Sequence, residues 1–341
     1  MPLTTATFTP QIFCTENATK GRELMKSTWI LLGAAALAAA CHAPAQAQLF
    51  SDDMSNGASW GMNISPDTDV AATFGYDYSA DGIPEAPNSV GGPATTGVKL
   101  EANNGDGNDI GSYFTLYPTG QSFSGNIQLR FDAWMNHDAD ERVGAARGTT
   151  EFLGGGLGYD NVTADVASGA QLIVTGDGGS GSDYRAFKSP PQFFIDGSAM
   201  EGGSRNGAIA YHTDFFPEVA APAVQGQTAL SAAGSPGFQW VTFEVNTIGN
   251  LVNFWLEKPG GERHLIVRYD KTDTSDGSAG VSTDGNISLF YADFFSSISP
   301  RPDLTFGIID NVVVSTVPEP ATVALAGLAG LGLVALRRRG R

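Results

Sequence analysis

The spacing of apolar residues between positions 49 and 316 restricts the fold more than any other feature of the chain. Apolar and polar side chains alternate over short stretches, and glycine, asparagine or aspartate separates one stretch from the next. No stretch keeps a 3.6-residue apolar period for three helical turns. A period of two is typical of β-strands, and the separating residues favour turns. The region is therefore predicted to be all-β.

The segment GNIQLRFDAWMN at 125–136 shows this alternation most clearly. One face would carry Ile127, Leu129, Phe131, Ala133 and Met135, and the other would carry Gln128, Arg130, Asp132 and Trp134. We expect the first face in the core and the second in solvent. Further strands are predicted at 171–175, 208–213, 238–246, 251–257, 264–269, 287–291 and 304–314. This number of strands suits a two-sheet sandwich.

Residues 238–270, FQWVTFEVNTIGNLVNFWLEKPGGERHLIVRYD, predict three consecutive strands joined by turns at 248–250 and 259–261. The segment resembles the middle strands of concanavalin A-like and laminin-G-like jelly rolls, in which a tryptophan opens one strand and small residues occupy the next turn. The resemblance implies a jelly-roll sandwich. Lectins, adhesion modules and glucanases share that fold, so the fold alone does not determine the function.

Two further segments, LFSDDMS at 49–55 and FGIIDNVVVS at 306–315, resemble the first and last strands of many such jelly rolls, which pair with each other. Asp310 follows apolar residues on its strand face, and a carboxylate there needs a cation or several hydrogen-bond donors to offset its lost hydration. A structural Ca²⁺ shared by Asp53 and Asp310 is one interpretation. The alternative is that Asp310 ends the apolar run and caps a turn with Asn311.

The N-terminal region predicts export. From Met25, the text MKSTWILLGAAALAAACHAPAQAQ combines a lysine, an apolar run and the small-residue site Ala45-Gln46-Ala47, which is typical of a secretory signal peptide. Residues 25–47 are predicted to be that signal, and residues 1–24 a mis-annotated start or a disordered leader. The sequence LAAAC ending at Cys41 suggests a lipoprotein as the alternative. Both cysteines precede the predicted sandwich domain at 48–316, so a large core has to stabilise it without disulfides.

The net charge of residues 48–336 limits the kinds of partner that they can bind. Residues 48–336 contain 34 acidic and 12 basic residues, a formal charge of −22. Such a surface repels nucleic acid and anionic lipid, and it favours divalent cations. Acidic loops at 103–109, 177–183 and 270–285 offer oxygen ligands of the kind that calcium accepts. The first loop lacks the closing glutamate of an EF-hand, and all three are equally typical of solvated turns.

The chain ends in VPEPATVALAGLAGLGLVALRRRGR at 317–341. The apolar run 321–336 would form a helix of roughly 24 Å at about 1.5 Å per residue, slightly short of a hydrocarbon core of about 30 Å. Arginines after such a helix stay on the cytoplasmic side, so the preceding domain should face outward. The run therefore predicts at least a transient membrane anchor.

The order of the three parts of this tail is more specific than an anchor. They are Pro318, Glu319 and Pro320, then the apolar run, then Arg337, Arg338 and Arg339. This order resembles the PEP-CTERM sorting signal of Gram-negative bacteria. The resemblance implies an exosortase, a transpeptidase-like membrane protease that removes the tail during export to the cell surface or the exopolysaccharide matrix.

Catalytic motifs are missing from the sequence. No glutamate has an aspartate two residues later, as the strand pattern of retaining glucanases on this fold requires. The predicted domain has no cysteine, and the glycine-rich turn at 178–183 only mimics the serine elbow of hydrolases. His137 with Asp138, Asp140 and Glu141 is the best metal-like grouping, although it is equally typical of a charged loop. We therefore predict no catalytic residues.

The predicted function is an exported, non-enzymatic binding or structural module associated with exopolysaccharide. The alternative is a polysaccharide-active glycoside hydrolase or lyase on the same fold. Sugar binding would need exposed aromatic side chains beside amides or carboxylates. Trp134, Tyr184, Tyr211 and Trp255 have polar neighbours, but each would equally suit the core, so the sequence assigns no carbohydrate-binding residue.

Overall fold

The computed structural model describes residues 46–89, 94–105, 111–144 and 148–317. Residues 46–317 form one compact unit. The leader, the signal peptide and the C-terminal hydrophobic helix predicted from the sequence lie outside the described residues, as do the sorting-motif residues from Pro318 onward.

The described residues form two antiparallel sheets, as predicted. The eight-stranded sheet contains β1 (Gln48–Asp52), β3 (Val70–Asp77), β4 (Thr96–Ala102), β6 (Ile127–Asn136), β11 (Val241–Ile248), β12 (Leu251–Glu257), β13 (Arg263–Asp270) and β15 (Phe306–Thr316). The seven-stranded sheet contains β2 (Trp60–Ile64), β5 (Ser112–Pro118), β7 (Phe152–Tyr159), β8 (Gly169–Thr175), β9 (Tyr184–Ser189), β10 (Phe193–Phe194) and β14 (Asn286–Asp293). Two short α-helices, α1 (Ala139–Gly144) and α2 (Ala210–Thr213), lie between strands.

Strand order confirms the jelly-roll sandwich. The larger sheet runs β13-β12-β11-β6-β15-β4-β3, with β1 also paired to β15, and the smaller sheet runs β10-β9-β8-β7-β14-β5-β2. The end strands pair as expected, with Asp52 opposite Val312. The predicted hairpin is present as well, since Ile248 pairs with Leu251 across a two-residue turn. Gly249 in that turn has a φ of +60°, which glycine adopts without steric cost.

The core lies between the two sheets. Phe131 on β6 and Phe243 on β11 stack with ring centroids 5.0 Å apart and planes 8° apart. Gly155 on β7 faces this pair, and a Cβ atom there would lie 3.2 Å from Phe131 Cε1 and 2.4 Å from the Ser288 carbonyl oxygen. A glycine at this position therefore lets the opposite sheet approach the stacked rings.

Some predicted strands are wrong in position or bounds, among them 238–246, which begins only at Val241. The segment 208–213 is not a strand, because Ala210–Thr213 forms α2, which places Tyr211 and His212 against buried aromatic rings. The alternation in this segment reflects burial of single side chains at a chain reversal. The strand predicted to begin at Leu304 begins instead at Phe306, after a 3₁₀ turn at Pro302–Leu304.

The outward face of β6 is also less solvated than predicted. Asp132 and Trp134 are buried, because chain segments around 78–86 and 219–229 cover that end of the larger sheet. Trp134 meets Trp240 edge-on with ring centroids 5.8 Å apart. Arg130, one step along the same face, stays partly exposed at 28% of its side chain. Half of this face is thus a second core, and the other half is open.

Candidate functional site

The open half of the larger sheet carries a ladder of polar side chains on β6, β11, β12 and β13. Strand pairing sets them in three rows, which are Gln128, Asn246, Asn253 and Arg268; Arg130, Glu244, Trp255 and Leu265; and Asp132, Thr242, Glu257 and Arg263. Asn88 covers Asp132 and Thr242 through hydrogen bonds from its amide Nδ2 of 2.6 and 2.8 Å. We call the first two rows, together with Glu257 and Arg263, the polar face.

Glu244 is the centre of the polar face. Its buried carboxylate accepts hydrogen bonds from Arg130 at 2.7 Å, from Arg263 and from the Asn246 amide at 2.7 Å. Arg130 also donates to Glu257 at 2.9 Å. Burial alone would lower the pKa of Arg130, but the two glutamates raise it above its usual value. The carboxylate charge is therefore compensated, and the guanidinium groups are held in fixed positions.

Arginine and tryptophan form the exposed layer of this face. The Arg263 guanidinium lies over the Trp255 ring, with its carbon 4.5 Å from the ring centroid. Arg268 donates to Asn253 Oδ1 at 2.6 Å, and the Asn253 amide donates to Asn246 Oδ1 at 2.9 Å. The result is a partly exposed aromatic ring, covered on one side by a guanidinium group and bordered by amides. Aromatic rings of this kind stack on sugar rings, and cations and amides hold sugar oxygens.

The four aromatic side chains considered for sugar binding differ in burial and position. Trp134 and Tyr184 lie in the interior, and the Tyr184 hydroxyl donates to the Gly234 carbonyl at 2.7 Å. Tyr211 is partly exposed and donates to the Leu265 carbonyl at 2.8 Å, so it lies beside the end of the row that contains Trp255. Only Trp255 belongs to the polar face itself.

Sequence reasoning missed the arginines, which are as central to this face as Trp255. Arg263 and Arg268 are five residues apart, and strict alternation would put them on opposite faces. A β-bulge places Phe254 opposite Val267 but Trp255 opposite Leu265, so Ile266 is the extra residue. The bulge brings both arginines to one face. Two consecutive apolar residues at 266 and 267 are the only sequence signal for it.

The grouping at 137–141 does not form a metal cluster. His137 stacks on Phe238 with ring centroids 4.3 Å apart, and its two ring nitrogens have no hydrogen-bond partner. Asp138 accepts from Ser299 Oγ at 2.8 Å, whereas Asp140 accepts from the backbone of Ala229 at 2.7 Å. These side chains point to different partners because each anchors a separate loop. No set of three His, Cys, Asp or Glu residues that could hold a metal is found among the described residues.

Burial of His137 predicts a pH-dependent stability. Burial, with a smaller effect of Arg142, lowers the pKa of His137 to about 3. The unfolded chain is then protonated first, so the stability that neutral His137 contributes is lost as the pH falls from about 6.5 towards 3. Compared with wild type, His137→Phe should gain about 1.4 kcal/mol for each pH unit below about 6. Urea unfolding of both proteins at pH 7.5 and pH 5 measures this, and an equal difference at the two pH values would contradict it.

Of the two residues predicted to bind calcium at the end strands, Asp53 lines a cleft of about 360 Å³ formed by residues 51–53 and 311–313, whereas Asp310 does not. Asp53 is exposed and accepts from Ser55 Oγ at 2.6 Å. Asp310 is buried and accepts from the Tyr78 hydroxyl at 3.0 Å and the Asn311 backbone at 2.7 Å. Burial first, and then nearby carboxylates that include Asp53, raise the pKa of Asp310 to about 7. Calcium shared by Asp53 and Asp310 stays a prediction.

Comparison with known structures finds similar shapes at low sequence identity. The exoplasmic/lumenal domain of VIP36 in its Ca²⁺/Man3GlcNAc-bound form has 7% identity and a TM-score of 0.42, covering 81% of this chain and 92% of that one. An endo-β-1,4-glucuronan lyase from the fungus Trichoderma reesei has 9% identity and a TM-score of 0.40, covering 80% and 96%. The CBM2 module of the evolved Dit of Lactobacillus casei BL23 phage J-1 has 10% identity and a TM-score of 0.37, covering 81% and 97%. No curated protein sequence matches the chain.

The tail lies beyond the described residues, and within those residues no helix has the length and hydropathy needed to cross a membrane. The family comparison nevertheless covers the tail, at residues 316–339. The match begins at Thr316, where β15 ends. The chain carries a PEP-CTERM protein-sorting motif immediately after the last strand of its jelly-roll domain.

Proposed function

We propose that this protein is an exported, non-enzymatic binding module for an extracellular polysaccharide that contains carboxylate groups, and that the polar face is its binding site. The observation that supports this most directly is the Arg263–Trp255 stack, whose ring is partly exposed, beside Arg130 and Arg268. A sugar ring would pack on the part of the indole that Arg263 leaves uncovered, while guanidinium groups hold carboxylates in a two-pronged hydrogen-bonded pair.

Charge distribution supports an anionic ligand. The predicted domain carries 33 acidic residues against 12 basic ones, so most of its surface repels an acidic polymer. The polar face has three arginines and two glutamates, which leaves it with one net positive charge. Arg263 exposes 39% of its side chain, and Arg130 exposes 28%. An anionic chain would therefore be directed to this face and away from the rest of the surface.

The contacts of the two glutamates with arginine favour binding over catalysis at this face. Glu244 and Glu257 both accept hydrogen bonds from Arg130, and Arg263 contacts both. Each carboxylate is already bonded to two guanidinium groups, so a substrate oxygen would have to displace one of them to reach it. The alternative, a polysaccharide lyase or hydrolase at the same face, would need one of these glutamates to be released on substrate binding.

Binding should be lost when the aromatic platform is removed. Trp255→Ala is expected to weaken binding of a polyuronate at least tenfold. Stacking of a ligand ring on an aromatic side chain contributes about 1–3 kcal/mol. Arg268→Ala should reduce binding and flatten its salt dependence. Isothermal titration with oligouronates and with a neutral glucan measures both effects.

A matched control is available on the other sheet. Arg205 lies over the Phe194 ring at 3.6 Å, so Phe194→Ala removes a similar cation–aromatic pair away from the polar face. It should leave binding unchanged. Equal losses in the Trp255 and Phe194 variants, or equal affinity of wild type for the neutral glucan, would contradict the proposal. Shortening of the polymer by wild type that stops in Glu257→Gln would support the enzyme alternative instead.

The sorting motif supports the proposed location. We infer that a signal peptide directs the chain across the inner membrane of a Gram-negative bacterium and that the tail holds it there until an exosortase removes the tail. The domain would then reach the cell surface or the extracellular matrix, where exopolysaccharide is available as a ligand.

A further inference from the structure

Three carboxylates are buried together where β7 begins and β14 ends. Glu151 immediately precedes β7, and the pairing of Phe152 with Ala292 puts it beside Asp293. Asp177 follows β8, and its Oδ2 accepts hydrogen bonds from Thr150 at 2.7 Å and from Thr149 at 3.0 Å. All three side chains belong to residues that are more than nine-tenths buried. Neither the polar face nor the end-strand cleft contains them.

Several oxygen atoms in this cluster have no partner. Glu151 Oε2, Asp177 Oδ1 and Asn103 Oδ1 make no hydrogen bond to any described residue. Asp293 also lines a cavity of about 210 Å³ with Gly148, Thr150, Phe295 and Ser297. Buried oxygens without a donor are rare in folded proteins, because each loses its hydration without compensation.

Asn103 joins the cluster from the opposite sheet, just after β4. Its Nδ2 donates to Asp293 Oδ2 at 2.7 Å and to the Phe295 carbonyl at 2.8 Å. These bonds fix the orientation of the amide whose Oδ1 has no hydrogen-bond partner among the described residues. Asn103 is also the first residue of the segment 103–109, whose composition suggested calcium and of which residues 106–109 lie outside the described residues.

The surroundings of the three buried carboxylates raise the pKa of each of them. Burial raises the pKa of Asp293 and of Asp177 to about 7. Burial and the charges of those two aspartates raise the pKa of Glu151 well above its usual value. Arg142 lowers the pKa of Asp177, and the Tyr291 hydroxyl partly offsets the rise at Glu151. No cation among the described residues is one of the main influences on the pKa of Glu151 or Asp293. The cluster can be neutralised either by protons or by a bound cation.

We propose that Glu151 and Asp293, with the Asn103 side-chain carbonyl, bind one Ca²⁺ ion next to this cavity, which Asp293 lines. Calcium accepts carboxylate, amide and backbone oxygens in irregular arrangements, so it does not need a third carboxylate as ligand. Magnesium fits less well, because it requires near-octahedral geometry and gives up its water reluctantly. The ion would fasten β4 of one sheet to β7 and β14 of the other.

Thermal unfolding of the purified protein tests this at fixed ionic strength with chelator, calcium or magnesium. We expect calcium at a hundredfold excess over its Kd to raise the wild-type melting temperature by about 5–10 °C, and magnesium to do much less. Glu151→Gln and Asp293→Asn should each lose most of this calcium-specific rise. In chelator, Glu151→Gln should melt no lower than wild type, because a neutral amide replaces a crowded carboxylate.

Asp310→Asn is the matched control, since it removes the buried carboxylate of the other predicted calcium site. The part of the calcium response that depends on Glu151 and Asp293 should persist in it. Terbium bound near Tyr291, whose pKa is raised by burial and by the charge of Glu151, should luminesce on tyrosine excitation in wild type and Asp310→Asn but not in Glu151→Gln. Unchanged melting with calcium, an equal response to magnesium and sodium chloride, or loss of the response only in Asp310→Asn would overturn the proposal.

Discussion

Replacing Asp132 with alanine is expected to lower the free energy of unfolding by about 3–5 kcal/mol. Its fully buried carboxylate accepts four hydrogen bonds, from the Asn88 backbone at 3.0 Å, the Asn88 amide at 2.6 Å, Thr242 Oγ1 at 2.7 Å and the Asn311 amide at 3.1 Å. Alanine would leave the Thr242 hydroxyl and the Asn311 amide buried without this acceptor. The loss should appear as a lower urea midpoint with an unchanged m-value, because the protein would still unfold as one unit.

The expected loss of stability is large because of where Asp132 lies in the fold. Asp132 joins β6 and β11 to the loop at Asn88 and to the bulge at Asn311 in β15. Asp77→Ala is a matched control. The Asp77 carboxylate accepts three hydrogen bonds, two from Ser79 and one from Thr95, but unlike Asp132 it is exposed. Water replaces the lost acceptor there, and only a small change is expected. Equal losses in the two variants would show that Asp132 is not the centre of a buried network.

The second large effect concerns the sorting tail. Protein recovered from the producing cell should end near residues 318–320, with the apolar run and the arginines removed. Replacing Arg337, Arg338 and Arg339 with glutamate should abolish most retention of the precursor at the inner membrane, because the positive-inside preference is lost. Intact mass spectrometry and membrane fractionation measure the two results.

Arginine-to-lysine substitution at the same three positions is the control, since it keeps the charge and should keep the retention. Recovery of Arg341 on the exported product would contradict processing. An unchanged distribution of the glutamate variant would contradict the proposed topology. Neither outcome would affect the glycan-binding proposal, which depends on the polar face alone.

Several features followed from the sequence because the interactions that cause them are local. Alternation at Phe243 and Val245, a two-residue turn at Gly249, and the resumption of alternation at Val252 predicted the β11–β12 hairpin. The pairing of the end strands was also predicted, although through a resemblance. The sorting motif at 316–339 is linear, so it could be identified without any fold.

Long-range packing decided the rest. A single bulge at Ile266 puts Arg263 and Arg268 on one face, and nothing local in the sequence fixes which strand register is adopted. Distant loops bury Trp134 and Asp132, although strand alternation predicts that both are solvated. Asn103, Glu151, Asp177 and Asp293 lie up to 190 residues apart, yet the fold buries them in one cluster. Alternation predicts which side of a strand a residue occupies. Only the packing of distant segments determines what covers that side.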